Sequence, residues 1–149
     1  MRSTAATLAG GLAALALAMG IGRFAYTAIL PAMQAQAGLS VANAGWLASL
    51  NFLGYFLGAV AAAWVPRGLA RTWIFRAALA LSVATTAAMG LTDAFLAWQV
   101  ARFLSGLASA GVFILSVAMA LDALARAGAE RWAGWLYTGV GAGIAGSGL

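Results

Sequence analysis

Residues 20–27 read GIGRFAYT and set one arginine, Arg23, inside a long apolar run. The run covers residues 8–30, which is long enough to cross the hydrocarbon core of a bilayer, about 30 Å thick. An arginine at the centre of a membrane helix costs roughly 2.5–3.5 kcal/mol on insertion scales. We therefore expect the charge of Arg23 to have a use inside the membrane.

The composition is that of a membrane protein. Of the 149 residues, 64% are hydrophobic and 7% are charged, whereas soluble domains carry about 25% charged residues. The net charge is +5, but the arginines stand between apolar runs without a contiguous basic patch, so nucleic-acid binding is not expected.

Side chains for catalysis and metal binding are scarce. The sequence contains no cysteine or histidine, and its acids are Asp93, Asp122 and Glu130, all at predicted helix ends. Disulfides, histidine-based catalysis and nearly every metal site are therefore excluded. We expect a protein that is not an enzyme and that carries no metal or cofactor.

Apolar runs separated by short polar segments predict an all-α fold, a polytopic bundle of transmembrane helices. Pro31 and the polar residues up to Gly38 are expected to end the first helix, and Ser40 is the expected N-cap of the second. The predicted spans cover residues 8–30, 41–64, 73–91, 94–121 and 132–149.

The N-terminal run and the last residues of the chain each bear on how the sequence is interpreted. The N-terminal run also fits a signal peptide, but its apolar character continues past Arg23, so we interpret it as an uncleaved first helix. The last residues stay apolar without a polar tail. We expect the chain to be a truncated, N-terminal part of a longer membrane protein.

The remaining arginines predict the orientation. The first and third loops carry no positive charge. Six arginines lie before the first helix or in and beside the second and fourth loops: Arg2, Arg67, Arg71, Arg76, Arg126 and Arg131. The positive-inside rule then puts the N-terminus and these two loops in the cytoplasm.

Arg23, Asn51 and Arg102 share one predicted depth. Arg23 and Arg102 lie seven and eight residues from Leu30 and Ala94, the outer ends of their predicted helices, and Asn51 lies seven residues from Ala44. At 1.5 Å per residue these depths are about 11–12 Å. Their faces should look into the bundle or a water-filled cavity. The two arginines either have a structural role, bonded to carbonyls or paired with acids elsewhere, or bind an anion between them.

Glycines and tryptophans also occur at positions that are typical of membrane helices. The pairs Gly54–Gly58 and Gly139–Gly143 are spaced for close helix packing, and Gly106 lies on the polar stripe of the fourth helix. Six tryptophans fall mostly near predicted helix ends and are expected to be interface anchors: Trp46, Trp64, Trp73, Trp98, Trp132 and Trp135.

Three runs carry a family resemblance. Residues 20–40, GIGRFAYTAILPAMQAQAGLS, and 44–59, AGWLASLNFLGYFLGA, resemble the start of YbfB/YjiJ-type transporters of the major facilitator superfamily (MFS). Residues 98–114, WQVARFLSGLASAGVFI, resemble the arginine-containing fourth-helix motif of that superfamily. In contrast to the superfamily, the loop at residues 61–71 contains no acid.

The resemblance implies an MFS-type bundle, with this chain holding the first four or five of twelve helices. It implies secondary active transport of a small molecule by alternating access, with the substrate site between two six-helix halves. It further implies the lipid bilayer of a bacterial inner membrane as the location. Proton coupling is one candidate driving force, and the sequence names neither the coupling ion nor the direction of transport. A fragment of this size is expected to be inactive.

Combined with the polar layer, the resemblance puts six residues on the pathway of a substrate that we expect to be anionic: Arg23, Tyr26, Asn51, Tyr55, Gln99 and Arg102. Another class of function stays open, that of a small membrane protein without transport activity, such as an assembly subunit or a truncated remnant. A membrane-embedded enzyme would need acids or histidines at depth, and the sequence has none there.

Overall fold

The computed structural model describes residues 4–148, except for the side chains of residues 21–23, 25, 147 and 148. The elements in chain order are α1 (Thr4–Leu15), a π-helical segment (Ala16–Phe24), α2 (Ala25–Ala37), α3 (Val41–Ala63), α4 (Leu69–Met89), α5 (Phe95–Arg126), a 3-10 segment (Glu130–Tyr137) and α6 (Thr138–Gly148). The described residues form helices and turns without a strand, which confirms the predicted all-α fold.

Within the described residues, α3, α4 and α5 are long and apolar enough to cross a membrane. The first predicted span is divided into α1, the π-helical segment and α2, and the fifth into the 3-10 segment and the 11-residue α6. Glycines weaken α-helical preference, and Gly20 and Gly22 lie in the π-helical segment.

The first helix continues beyond residue 30, where its predicted span ends. Pro31 lies inside α2, which continues to Ala37. A proline removes one backbone hydrogen bond, but the next six residues, AMQAQA, are mostly strong helix formers. The helix ends instead at Gly38, whose left-handed φ of 66° closes the last turn with its N–H on the Met33 carbonyl.

The third and fourth predicted spans are also longer in the structure. α4 begins at Leu69 rather than at residue 73, directly after Gly68. α5 continues to Arg126 rather than ending at residue 121. The added residues are helix formers such as leucine, alanine and arginine. The positive charge of Arg126 in the last turn also interacts favourably with the negative end of the helix dipole.

The start of α3 follows the sequence prediction. Ser40 has extended backbone angles, and its hydroxyl accepts a hydrogen bond of 3.1 Å from the N–H of Asn43. This is the N-cap arrangement expected from the sequence. It caps the first turn of α3 directly after the short connection at residues 38–40.

α5 is the central helix, in contact with α1, α3, α4 and the π-helical and 3-10 segments. At one end of the bundle, arginines from the loop before α4, from α4 itself and from the end of α5 line one cavity, and we call this the basic end. Those arginines are Arg67, Arg71, Arg76 and Arg126. Neighbouring helices therefore alternate in direction, with the start of α5 at the opposite end.

Glycines bring α3 and α5 into backbone contact. A Cβ atom at Gly54 would overlap the Phe103 carbonyl oxygen, and one at Gly106 would overlap the Asn51 carbonyl oxygen. A Cβ atom at Gly58 would lie 2.5 Å from the Leu107 carbonyl oxygen. Lipid tails are as apolar as leucine, so such close van der Waals contact drives helix association in membranes.

α6 packs on the first helix in the same way. A Cβ atom at Gly139 would overlap the carbonyl oxygen of Leu12, and one at Gly143 that of Ala16. Gly20 in turn lies against the backbone of Gly143. The structure thus places both glycine pairs of the sequence, 54/58 and 139/143, at helix crossings.

We predict that Gly54→Ala destabilises the protein by roughly 1–3 kcal/mol, because the added methyl group overpacks the α3–α5 crossing. Gly45→Ala is the matched control in the same helix, since a Cβ atom there meets nothing within 4 Å. It should be neutral or stabilising by about 0.5–1 kcal/mol. Helix content followed by circular dichroism during SDS titration measures both changes, and equal effects would contradict the predicted contact.

Candidate functional site

The side chain of Arg102 lies on the ring of Tyr26. The guanidinium carbon is 4.2 Å from the ring centroid, and both residues are buried, with 4% of Arg102 and 6% of Tyr26 exposed. A guanidinium over an aromatic face is stabilised by about 0.5–1 kcal/mol in water and by about 2 kcal/mol or more away from it. The contact joins α2 to α5 and offsets part of the penalty of a buried charge.

Tyr26 is itself fixed by the next helix. Its hydroxyl donates a hydrogen bond of 3.1 Å to the carbonyl oxygen of Ala44, in the first turn of α3. The ring therefore has one end bonded to α3 and one face against Arg102 on α5. A single side chain ties three helices together at this level.

Asn51 makes the second link between α3 and α5. Its Nδ2 atom donates a hydrogen bond of 2.9 Å to the backbone carbonyl of Arg102, and 2% of the residue is exposed. The bond is possible because Gly106, one turn further along α5, lets the backbones approach at Asn51. Asn51 and Arg102 therefore lie at one level of the bundle.

Trp98 was wrongly predicted to be an interface anchor. The other tryptophans, at positions 46, 64, 73, 132 and 135, are exposed, but Trp98 is 4% exposed. Its indole Nε1 donates a hydrogen bond of 3.1 Å to the Met89 carbonyl at the end of α4. The four-residue spacing from Trp98 to Arg102 puts both on one face of α5, a signal that the sequence already contained.

Tyr26, Asn51, Trp98 and Arg102 form what we call the Tyr26 layer, a buried polar and aromatic level that touches α2, α3, α4 and α5. Two further predicted pathway residues lie near it. Tyr55 is half-buried, with its backbone N–H beside Gly106, and Gln99 is half-buried on α5, three residues before Arg102. The side chain of Arg23 lies outside the described residues.

The Tyr26 layer provides one positive charge, an amide and two aromatic hydrogen-bond donors in an apolar surrounding. Tyr26, Ala44, Met89 and Trp98 belong to one hydrophobic cluster at the end of the bundle opposite the basic end. A buried guanidinium of this kind is a strong binding partner for a carboxylate or phosphate that replaces the ring. The described residues hold no group of three or more metal-ligating side chains.

An ion pair at the basic end was not foreseen from the sequence. Arg71 in the first turn of α4 donates a hydrogen bond of 3.1 Å to Asp122 near the end of α5. The loop before α4 contains no acid, but the fold supplies one from α5. The two residues are 51 positions apart, so only the packing of α4 on α5 brings them together.

In comparison with known proteins, the chain matches one protein family. Residues 15–149 match the family described as Uncharacterised MFS-type transporter YbfB. The match covers the π-helical segment and all later helices, and so the whole Tyr26 layer. No curated protein and no solved structure shows a significant match.

We predict that Tyr26 and Arg102 are energetically coupled. A double-mutant cycle of Tyr26→Leu and Arg102→Met should give a favourable coupling of roughly 1–2 kcal/mol in SDS unfolding, because each change removes the same stacking contact. Tyr26→Phe is the matched control, since it keeps the ring and loses only the hydroxyl bond to Ala44, about 0.6 kcal/mol in a membrane.

The cycle of Tyr26→Phe with Arg102→Met should show coupling close to zero. Zero coupling in the leucine cycle, or equal coupling in both cycles, would contradict the stacking.

Proposed function

The chain belongs to the YbfB-type transporter family of the major facilitator superfamily, and from this premise we propose that it works as a secondary active transporter of a small molecule. Membership makes it a multi-pass membrane protein of a transporter family, as the sequence resemblance implied. The mechanism that we propose is alternating access, in which two six-helix halves rock about a site near the middle of the membrane.

The observation that supports the proposal best is the Tyr26 layer. A buried arginine in a membrane bundle is a functional-site hypothesis by default, because its insertion is unfavourable. Arg102 is held on the Tyr26 ring in the present conformation, with 4% of the residue exposed. We propose that an anionic substrate takes the place of the ring on the guanidinium when the layer opens to water.

The pathway that we propose is lined by the residues named from the sequence: Arg23, Tyr26, Asn51, Tyr55, Gln99 and Arg102. Asn51 would keep α3 and α5 together while Tyr26 moves, since its bond goes to the backbone of Arg102 rather than to the guanidinium. The glycine crossings 54/58 and 139/143 would serve as rigid packing within this half of the transporter. Residues 1–149 alone would then provide part of one cavity wall and would not transport.

For the setting we propose a bacterial inner membrane with the basic end in the cytoplasm. The support is the positive-inside rule, since Arg67, Arg71, Arg76 and Arg126 line one cavity at that end. The driving force that we propose is a proton gradient.

Arg102→Ala and Arg102→Lys should both abolish transport by the complete gene product, because neither side chain reproduces the planar guanidinium. The measurement is uptake of a panel of radiolabelled small carboxylates and amines into cells, with membrane insertion checked by immunoblot. Arg131→Lys, a change at an exposed position, is the matched control and should transport normally. Unchanged uptake in both Arg102 variants would rule out this role.

Single cysteines test the orientation, because the sequence contains none. Ala127→Cys follows α5 at the basic end and Asp93→Cys precedes it at the other end, and both positions are exposed. With a membrane-impermeant maleimide, position 93 should react in intact spheroplasts and position 127 only in inverted vesicles. The reverse pattern would show that the basic end faces outward.

A further inference from the structure

A cavity of about 720 Å³ lies at the basic end, between α1, α4 and α5. Its charged wall is formed by Arg67, Arg71, Arg76, Arg126 and Asp122. Four arginines against one aspartate give these charged side chains a net charge of +3. Such a concentration of like charge attracts anions to the cavity.

Two details of the wall favour an anion. Gly68 and Leu69 line the cavity where α4 begins, and no side chain caps this helix, so the positive end of its dipole contributes to the wall. The Nε atom of Arg71 is buried and has no hydrogen-bond partner among the described residues, while its Nη1 donates to Asp122. Asp122 therefore fixes the orientation of Arg71, and the Nε–H donor of Arg71 remains without a hydrogen-bond partner among the described residues.

Most of the remaining lining is apolar, and Thr7, Thr72 and Ser116 are its uncharged polar members. Its apolar members include Gly10, Ala14, Phe75 and Met119. Ala14 is eight residues beyond Ala6 on the first helix, so this lining extends about 12 Å into the bundle from its basic end. A site with cationic groups at its mouth and an apolar interior fits an amphiphile with an anionic head.

This cavity is separate from the Tyr26 layer. Asp122 lies 20 residues after Arg102 on α5, which corresponds to about 30 Å along the helix. The cavity is lined by α1, α4 and α5 but not by α3, the helix that carries Asn51. It is therefore not explained by the proposed substrate pathway and does not depend on it.

We propose that this cavity binds a phosphate group, carried either by the head of an anionic phospholipid or by a free phosphate anion. Arginine forks match phosphate oxygens bidentately, and basic pockets between membrane helices take up phosphate-bearing lipid heads. The apolar interior would hold the upper part of an acyl chain if the phosphate belongs to a lipid.

The test is native mass spectrometry of the purified chain, titrated with phosphatidylglycerol or with phosphatidylcholine. Phosphatidylglycerol should bind at least about tenfold more tightly. The double variant Arg67→Gln/Arg126→Gln should weaken its binding roughly 25-fold, at about fivefold per arginine. Arg131→Gln removes the same kind of charge outside the cavity and should change binding less than about twofold.

Asp122→Asn gives a change of opposite sign. It raises the net charge of the wall from +3 to +4, so phosphatidylglycerol should bind about fivefold more tightly. This variant keeps the test decisive if the double variant does not fold. Weaker binding in Asp122→Asn would overturn the proposal.

Competition with inorganic phosphate identifies the source of the group. Displacement of phosphatidylglycerol assigns the site to phosphate in either form, and its retention assigns the site to the lipid. Equal binding of both lipids would show that the cavity does not select a head group with a net negative charge. An equal loss in Arg131→Gln and in the double variant would show that the arginines of the cavity do not bind the head group, and either result would overturn the proposal.

Discussion

The backbone contact between α3 and α5 is the constraint on which the rest of the bundle depends. Gly54, Gly58 and Gly106 allow an approach in which a single Cβ atom would overlap a carbonyl oxygen of the facing helix. Within lipid, such contact replaces the hydrophobic drive that folds soluble proteins. Because the helices are this close, the short side chain of Asn51 reaches the backbone of Arg102.

The same approach explains how the bundle holds a buried arginine. α2 brings the face of Tyr26 to within 4.2 Å of the guanidinium, and the hydroxyl of Tyr26 is fixed to the start of α3. The structural and functional roles weighed from the sequence are therefore compatible. The ring stabilises Arg102 in the present conformation, and the proposed substrate would compete with the ring.

The sequence predicted what depends on local pattern. The helices, the Ser40 cap and the common level of Asn51 and Arg102 follow from apolar runs, capping chemistry and spacing. It did not predict the continuation of α2 beyond Pro31, because strong helix formers outweighed one missing hydrogen bond. The Arg71–Asp122 pair depends on the packing of α4 on α5, which no local pattern encodes. The burial of Trp98 could have been predicted, because its four-residue spacing from Arg102 puts both residues on one face of α5.

The most direct test of the account is whether position 102 meets water. In the complete gene product, Arg102→Cys should react with a small methanethiosulfonate reagent, which needs a hydrated thiolate. Val100→Cys, two residues away at an exposed position of α5, is expected to face lipid and should not react. The predicted result is that Arg102→Cys reacts and Val100→Cys does not. No reaction at 102, with normal reaction of Ala127→Cys, would mean that Arg102 is sealed in a dry core and only holds the helices together.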